Sequence, residues 1–74
     1  MRLGKFIRKF LYCFEDIKIR FIYSHDESDV VCLSSYEGKK VVNKYKDKRV
    51  IKIYSDRYNG KYSEITCICI DLED

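Results

Sequence analysis

Apolar residues recur every three or four positions from Leu3 to Ile17, then every second position from Ile17 onward. The first period belongs to one stripe of an α-helix and the second to a half-buried strand. Leu3, Phe6, Ile7, Phe10, Leu11, Phe14 and Ile17 form the stripe, with Arg2, Lys5, Arg8 and Lys9 mostly off it, which predicts an amphipathic helix over 1–17. In IKIRFIYS (17–24), Ile17, Ile19, Phe21 and Tyr23 share one side and Lys18 and Arg20 the other, which predicts a strand. HDESD (25–29) reads as a turn whose Asp and Ser side chains bond locally. VVCLSSY (30–36) reads as a second strand, and Glu37-Gly38 as a two-residue hairpin turn. VVNKY (41–45) fits a short third strand or a single helical turn. RVIKIYSDR (49–57) predicts a strand with Ile51 and Ile53 inward. Asn59-Gly60 is a strong hairpin signal, because a type I′ turn needs positive φ at both positions, and KYSEITCICIDL (61–72) returns as the last strand. The expected architecture is α+β: one N-terminal amphipathic helix packed on a face of an antiparallel meander of four or five strands.

Length sharpens this picture. Seventy-four residues make a single domain, 1–74, that buries only about 60% of its unfolded surface. Proline is absent and glycine occurs three times, so no linker or low-complexity tail is expected. No apolar run approaches the roughly 20 residues a membrane span needs. Arg8 and Lys9 interrupt the apolar start and no small-residue cleavage site follows, so a signal peptide is not expected. That places the chain in a reducing cytoplasm, with its four cysteines as free thiols.

Charge adds a direction. The net charge is only +3, but it is unevenly spread. Residues 37–62 hold nine bases against three acids, and residues 63–74 hold four acids and no base. Lys44, Lys46, Lys48, Arg49, Arg57 and Lys61 alternate with Tyr45, Tyr54, Tyr58 and Tyr62. Bases between aromatic rings are what single-strand binders use, charge following the backbone and rings stacking on bases. Lysines on a strand edge also prevent edge-to-edge aggregation. The expected nucleic-acid contact is therefore non-sequence-specific, since lysine reads bases poorly.

Other chemistry finds little support. The lone His25 lies in an acidic turn, and there is no phosphate loop or nucleophile elbow, so the protein is expected not to be an enzyme. Cys67 and Cys69 sit two apart on a strand and share a face, unlike the C-x(2–4)-C turns that wrap zinc. They read as small core residues, and no cofactor or metal is expected. The basic N-terminal helix could lie on a membrane, but the strands need a cover and it is the only candidate, so no membrane partner is expected. The last strand is apolar on both faces, with Ile68 and Ile70 on one side and Ile65, Cys67 and Cys69 on the other. A strand of that kind expects a cover on each face, which points to a homo-oligomer or a protein partner. Seven tyrosines and four phenylalanines exceed what so small a core hides, and tyrosine favours interface hot spots.

The run of YEG from Tyr36, a basic linker, DKRVIKI and ITCICI resembles small uncharacterised proteins of low-GC Gram-positive bacteria and their phages. Those begin with a short helix and follow with two strands ending near a Tyr-x-Gly. They finish with a Val-x-x-Ile strand and an apolar last strand. The basic linker is heavier here, and the paired cysteines depart from the pattern. The resemblance implies a phage or mobile-element accessory protein in the host cytoplasm. Such proteins often bind and inhibit a host factor, anti-CRISPR and other anti-defence proteins among them. The expected function is thus a non-enzymatic protein that binds and modulates a host protein through the tyrosines and bases named above, with nucleic-acid binding as the alternative.

Overall fold

Alternation is cleanest at residues 18–23, and a strand forms there. In a computed structural model, which describes residues 1–11 and 17–74, the order is α1 (Leu3–Phe6), β1 (Lys18–Tyr23), β2 (Asp26–Glu27), β3 (Val31–Cys32), α2 (Tyr36–Tyr45), β4 (Arg49–Asn59) and β5 (Glu64–Glu73). α1 continues as a π-helical segment, Ile7–Leu11, so the expected N-terminal helix is present as far as residue 11. Residues 12–16 of that expected helix, Cys13 and Phe14 among them, lie outside the described residues.

The fold is α+β, but the sheet is mixed rather than a purely antiparallel meander. Its order is β2-β1-β5-β4, with β3 also against β1. β1 runs parallel to β5, with Ile19 opposite Ile68, Phe21 opposite Ile70 and Tyr23 opposite Leu72. Parallel neighbours need a long connection. Here α2 and β4 supply it, and the β4–β5 hairpin returns β5 beside β1 instead of at an edge. Ile19, Phe21, Ile70 and Leu72 are buried with Leu3, Leu33 and Tyr45 in the core between this sheet face and the two helices.

Residues 36–45 correct the expected pattern most sharply. The expected strand over 30–36 is only Val31–Cys32, Glu37-Gly38 is not a hairpin turn, and VVNKY takes the helical one of its two expected readings, within a ten-residue helix. Ser35 is the reason. In extended conformation it caps α2, its Oγ accepting from the Gly38 amide at 2.9 Å and donating to the Cys32 carbonyl at 2.6 Å. Gly38 serves packing: a Cβ there would stand 1.9 Å from the Cys32 carbonyl oxygen. Val41, Val42 and Tyr45 then turn onto the core, overriding the β-preference of adjacent valines. Two helices, not one, cover the face.

β4 departs from expectation in a different way. A bulge between Val50 and Lys52 throws Ile51 out of register. The helices cover little of β4, so Ile51 and Ile53 are 55% and 47% exposed instead of inward. The turn also moves. β4 extends through Asn59, and the Gly60 amide donates to the Ser63 carbonyl at 2.8 Å, leaving Lys61 and Tyr62 at the tip. Neither Asn59 nor Gly60 has positive φ, so this is not the expected type I′ turn. Gly60 is needed for space, because a Cβ would lie 2.4 Å from Ile65 Cδ1. In residues 25–29 the turn shrinks to Ser24-His25, with Ser24 at φ 57°, and Asp26–Glu27 pairs back on β1.

The first residues of the chain lie along the start of β4. The Val50 amide donates to the Met1 carbonyl and the Leu3 amide to the Lys48 carbonyl, both at 2.8 Å. The Gly4 amide donates to the Lys46 carbonyl at 3.0 Å, which ties α1 to the end of α2.

Candidate functional site

That tie brings together bases far apart in sequence. α1 exposes Lys5, and Arg8 follows in the π-helical segment, while α2 exposes Lys39, Lys40 and Lys44, with Lys46 just past its end. Two adjoining open clefts of about 530 and 380 Å³ lie between them. Arg2, Lys5, Arg8, Lys39 and Lys46 line these clefts, with Asp47 the one acid among the lining residues. Asp47 offers its backbone carbonyl to the Arg2 guanidinium. Among the described residues, no ion pair engages Lys5, Arg8, Lys39, Lys40, Lys44 or Lys46. Cations gathered on one surface without carboxylate partners raise the local potential for an anion.

The expected contact residues divide. Lys46 belongs to this helical surface, whereas Lys44 lines the groove on the other side of α2, its ammonium 5.1 Å from the centre of the Tyr45 ring. Tyr45 itself is a core residue, 6% exposed, and offers no stacking ring. Lys48, Arg49 and Arg57 are answered by the acidic end of the chain. Lys48 pairs with Asp74 at 2.6 Å, Arg49 with Glu73, and Arg57 with Glu64 at 3.6 Å. Tyr54 and Tyr58 are half-buried and lie on the sheet face away from the helices, as their pairing with Cys69 and Ile65 requires. Lys61 and Tyr62 stand at the hairpin tip, with Tyr62 89% exposed. Lys44 and Lys61 keep their neighbouring rings, Tyr45 and Tyr62, within 5.1 and 5.4 Å, but among the described residues no ring lines the two basic clefts.

The second sheet face bears on the oligomer argument. Cys67 and Cys69 are each 1% exposed within the single chain. Arg20, Ile22, Tyr54, Tyr58 and Ile65 share that face and are half-buried. β5 is thus covered on both faces, as its apolar pattern expects, without a second molecule. Burial and the neighbouring Cys67 push the Cys69 thiol up to about 11. Partial desolvation and a 3.1 Å hydrogen bond to Asp71 push the Tyr54 phenol up to about 12.

The opposite flank is acidic. A groove between α2 and the β2–β3 edge is lined by Asp26, Glu27, Asp29 and Glu37, with Lys18 and Lys44. The Lys18 ammonium lies 3.1 Å from Cys32 Sγ in its wall. His25 is exposed in its turn. Among the described residues, no group of three or more His, Cys, Asp or Glu is placed to hold a metal ion, and no helix is long and apolar enough to cross a membrane.

Lys46 stands out in the sequence as part of a basic run, but its neighbours Arg2, Lys5 and Arg8 join it only through the fold. The available signal is that Arg2, Lys5 and Arg8 fall mostly off the apolar stripe of the first helix. No family model matches the chain, and no curated protein or solved structure matches it either.

Proposed function

We propose that the protein is a non-enzymatic binding module whose helical surface holds the phosphate backbone of a nucleic acid without reading sequence. The observation that supports this is the convergence of Arg2, Lys5, Arg8, Lys39 and Lys46 on two adjoining clefts with one acid among them. Backbone binding of this kind releases counterions, so affinity falls steeply with salt. Among the described residues no ring lines the clefts, which argues for charge over base contact and hence for little preference between single and double strands.

Fluorescence anisotropy with a labelled oligonucleotide tests the reading. Binding is expected at low salt, with the slope against log salt flattening by about 0.7 for each phosphate contact removed from a single strand. Arg8→Glu with Lys46→Glu is expected to abolish binding, while Arg57→Ala, outside the clefts, leaves it unchanged. No binding at low salt removes the proposal.

A second reading, occupation of a host protein by a phage or mobile-element accessory factor, is favoured by Tyr36 and Tyr62. These rings are 77% and 89% exposed, which leaves them free for hot-spot contacts. It predicts that a tagged bait retains one defined host protein and that Tyr62→Ala releases it. Retention unchanged by Tyr62→Ala and Tyr36→Ala removes this second reading.

A further inference from the structure

β3 lies against the start of β1, where Cys32 stands opposite Lys18 and Val31 opposite Ile19 in an antiparallel pair. Both backbones are fixed there. Ile19 is fully buried, and the Cys32 carbonyl accepts from the Ser35 hydroxyl at 2.6 Å and from the Ser35 amide at 3.1 Å. The two side chains meet, with the Lys18 ammonium 3.1 Å from Cys32 Sγ. Cys32 is half-buried, Lys18 is exposed, and both line the open groove of about 760 Å³ beside α2. A small oxidant can reach this thiol, whereas Cys67 and Cys69 are closed off at 1% exposure each.

The geometry points to a reversible modification site: on oxidation by a peroxide, Cys32 Sγ and Lys18 Nζ join in an N–S bond, a sulfenamide. The Cys32 thiolate attacks one peroxide oxygen and the O–O bond breaks. Cys32 becomes a sulfenic acid, and hydroxide leaves. The hydroxide takes a proton from the Lys18 ammonium, which gives water and a neutral amine with a lone pair. That amine attacks Sγ. The N–S bond forms, the S–OH bond breaks, and a second water departs with a proton from the nitrogen. One peroxide is reduced to two waters, and the thiol–amine pair is oxidised by two electrons. Sulfenic acids condense with a nitrogen held against them in the same way.

The fold favours this partner over the thiols of β5. Ile19 pairs with Val31 on one side and Ile68 on the other, so β1 stands between Cys32 and both Cys67 and Cys69. Two strand spacings make about 9.6 Å, beyond the roughly 7 Å that a disulfide spans between Cα atoms. The tethered amine, by contrast, has an effective concentration far above that of a thiol in solution. The bond ties β3 to β1 and removes a positive charge from the groove. Among the described residues, the other charged groups lining that groove are Lys44, Asp26, Glu27, Asp29 and Glu37. The site lies across α2 from the basic clefts, so it stands independently of the nucleic-acid reading.

Mass spectrometry after treatment of the folded protein with hydrogen peroxide is the test, with iodoacetamide added on unfolding and no reductant. It is run on the wild type and on Cys13→Ser, which removes a disulfide to that cysteine from consideration. Both proteins are expected to lose two hydrogens at this site, and Cys32 to escape alkylation. Trypsin needs a free lysine amine, so it is expected to release residues 10–20, uncut after Lys18, joined to residues 21–39. Dithiothreitol is expected to separate the two peptides. Lys18→Arg keeps a cation at this exposed position but offers no amine. Its Cys32 is expected to stop at the sulfenic acid, which dimedone present during the oxidation captures. Cys32 that is fully alkylated after peroxide overturns the inference. A loss of two hydrogens at Cys32 that persists in Lys18→Arg with an unchanged circular dichroism spectrum does the same. So does dimedone capture in the wild type equal to that in Lys18→Arg.

Discussion

The Lys48 ammonium lies 2.6 Å from Asp74 Oδ1, and the Tyr23 hydroxyl donates to the same oxygen. The Lys48 ammonium also sits 4.7 Å from the centre of the Tyr23 ring. Three segments distant in sequence meet at one carboxylate, which fastens the end of the chain to the start of β4. The hydrogen bonds from Lys48 and Tyr23 hold Asp74 below the usual carboxylate range, and those to Asp74 and Tyr23 raise Lys48.

Two pH limits follow from these shifts. Asp74, depressed in the fold, stabilises above its unfolded value, and that contribution is lost as pH falls through the folded one. Lys48, raised in the fold, stabilises below the ordinary lysine value, and that contribution is lost as alkalinity passes the folded one. Asp74→Asn is expected to lower the melting temperature slightly at neutral pH, less so in high salt because the pair is exposed. The difference closes in strong acid. A variant whose deficit persists at pH 2 would assign Asp74 a role other than charge.

Ser35 and Gly38 predict a graded response. Ser35→Ala removes one cap acceptor and is expected to cost about 1 kcal/mol in urea unfolding. Gly38→Ala forces a methyl group against a backbone carbonyl and is expected to cost about 3 kcal/mol or more, enough to leave much of so small a domain unfolded. Equal losses would mean that α2 sits less closely on β3 than the 1.9 Å approach requires.

These two residues also explain why the first helix and β1 were legible and α2 was not. Leu3 to Ile7, and Ile19 to Tyr23, follow one clean period each, because each element meets the core on a single side. In residues 36–45, adjacent valines and a glycine after glutamate imitate a strand after a turn. The cap signal of Ser35 with Glu37 in the first turn was present but local, and it decides the matter only with Gly38 against Cys32. The parallel pairing of β1 with β5 has no local signal, since it is a choice among distant partners. The candidate site divides likewise. Lys44 and Lys46 were visible as a basic run. The neutralisation of Lys48 and Arg49 by Asp74 and Glu73, and the arrival of Arg8 beside Lys46, exist only in three dimensions.

Thiol reactivity is expected to follow burial. In a Cys13→Ser background, iodoacetamide at pH 8 should modify Cys32, which is half-buried beside the Lys18 ammonium, well before the other two. Cys67 and Cys69 should react only on unfolding, being almost inaccessible, with Cys69 pushed up to about 11. Peptide mapping by mass spectrometry reads the order. Early labelling of Cys69 in folded protein would contradict the covered second face.

Tyr54 gives a spectroscopic check on the same face. Titration at 295 nm is expected to include a phenol ionising near 12 that is missing from Tyr54→Phe. Because the folded value is raised, the stabilisation is complete below about pH 10 and is lost as pH climbs toward 12. If Tyr54→Phe leaves the upper end of the titration unchanged, the bond to Asp71 does not hold the proton.

The position of β5 between β1 and β4 carries a consequence for biosynthesis. β1 is made before its parallel neighbour β5, which emerges from the ribosome after every other strand among the described residues. Until Ile68, Ile70 and Leu72 arrive, β1 is paired only on its β2–β3 side, and β4 has no partner along most of its length. The nascent chain must hold apolar side chains and open backbone groups in water until β5 is made, and the sheet closes only then.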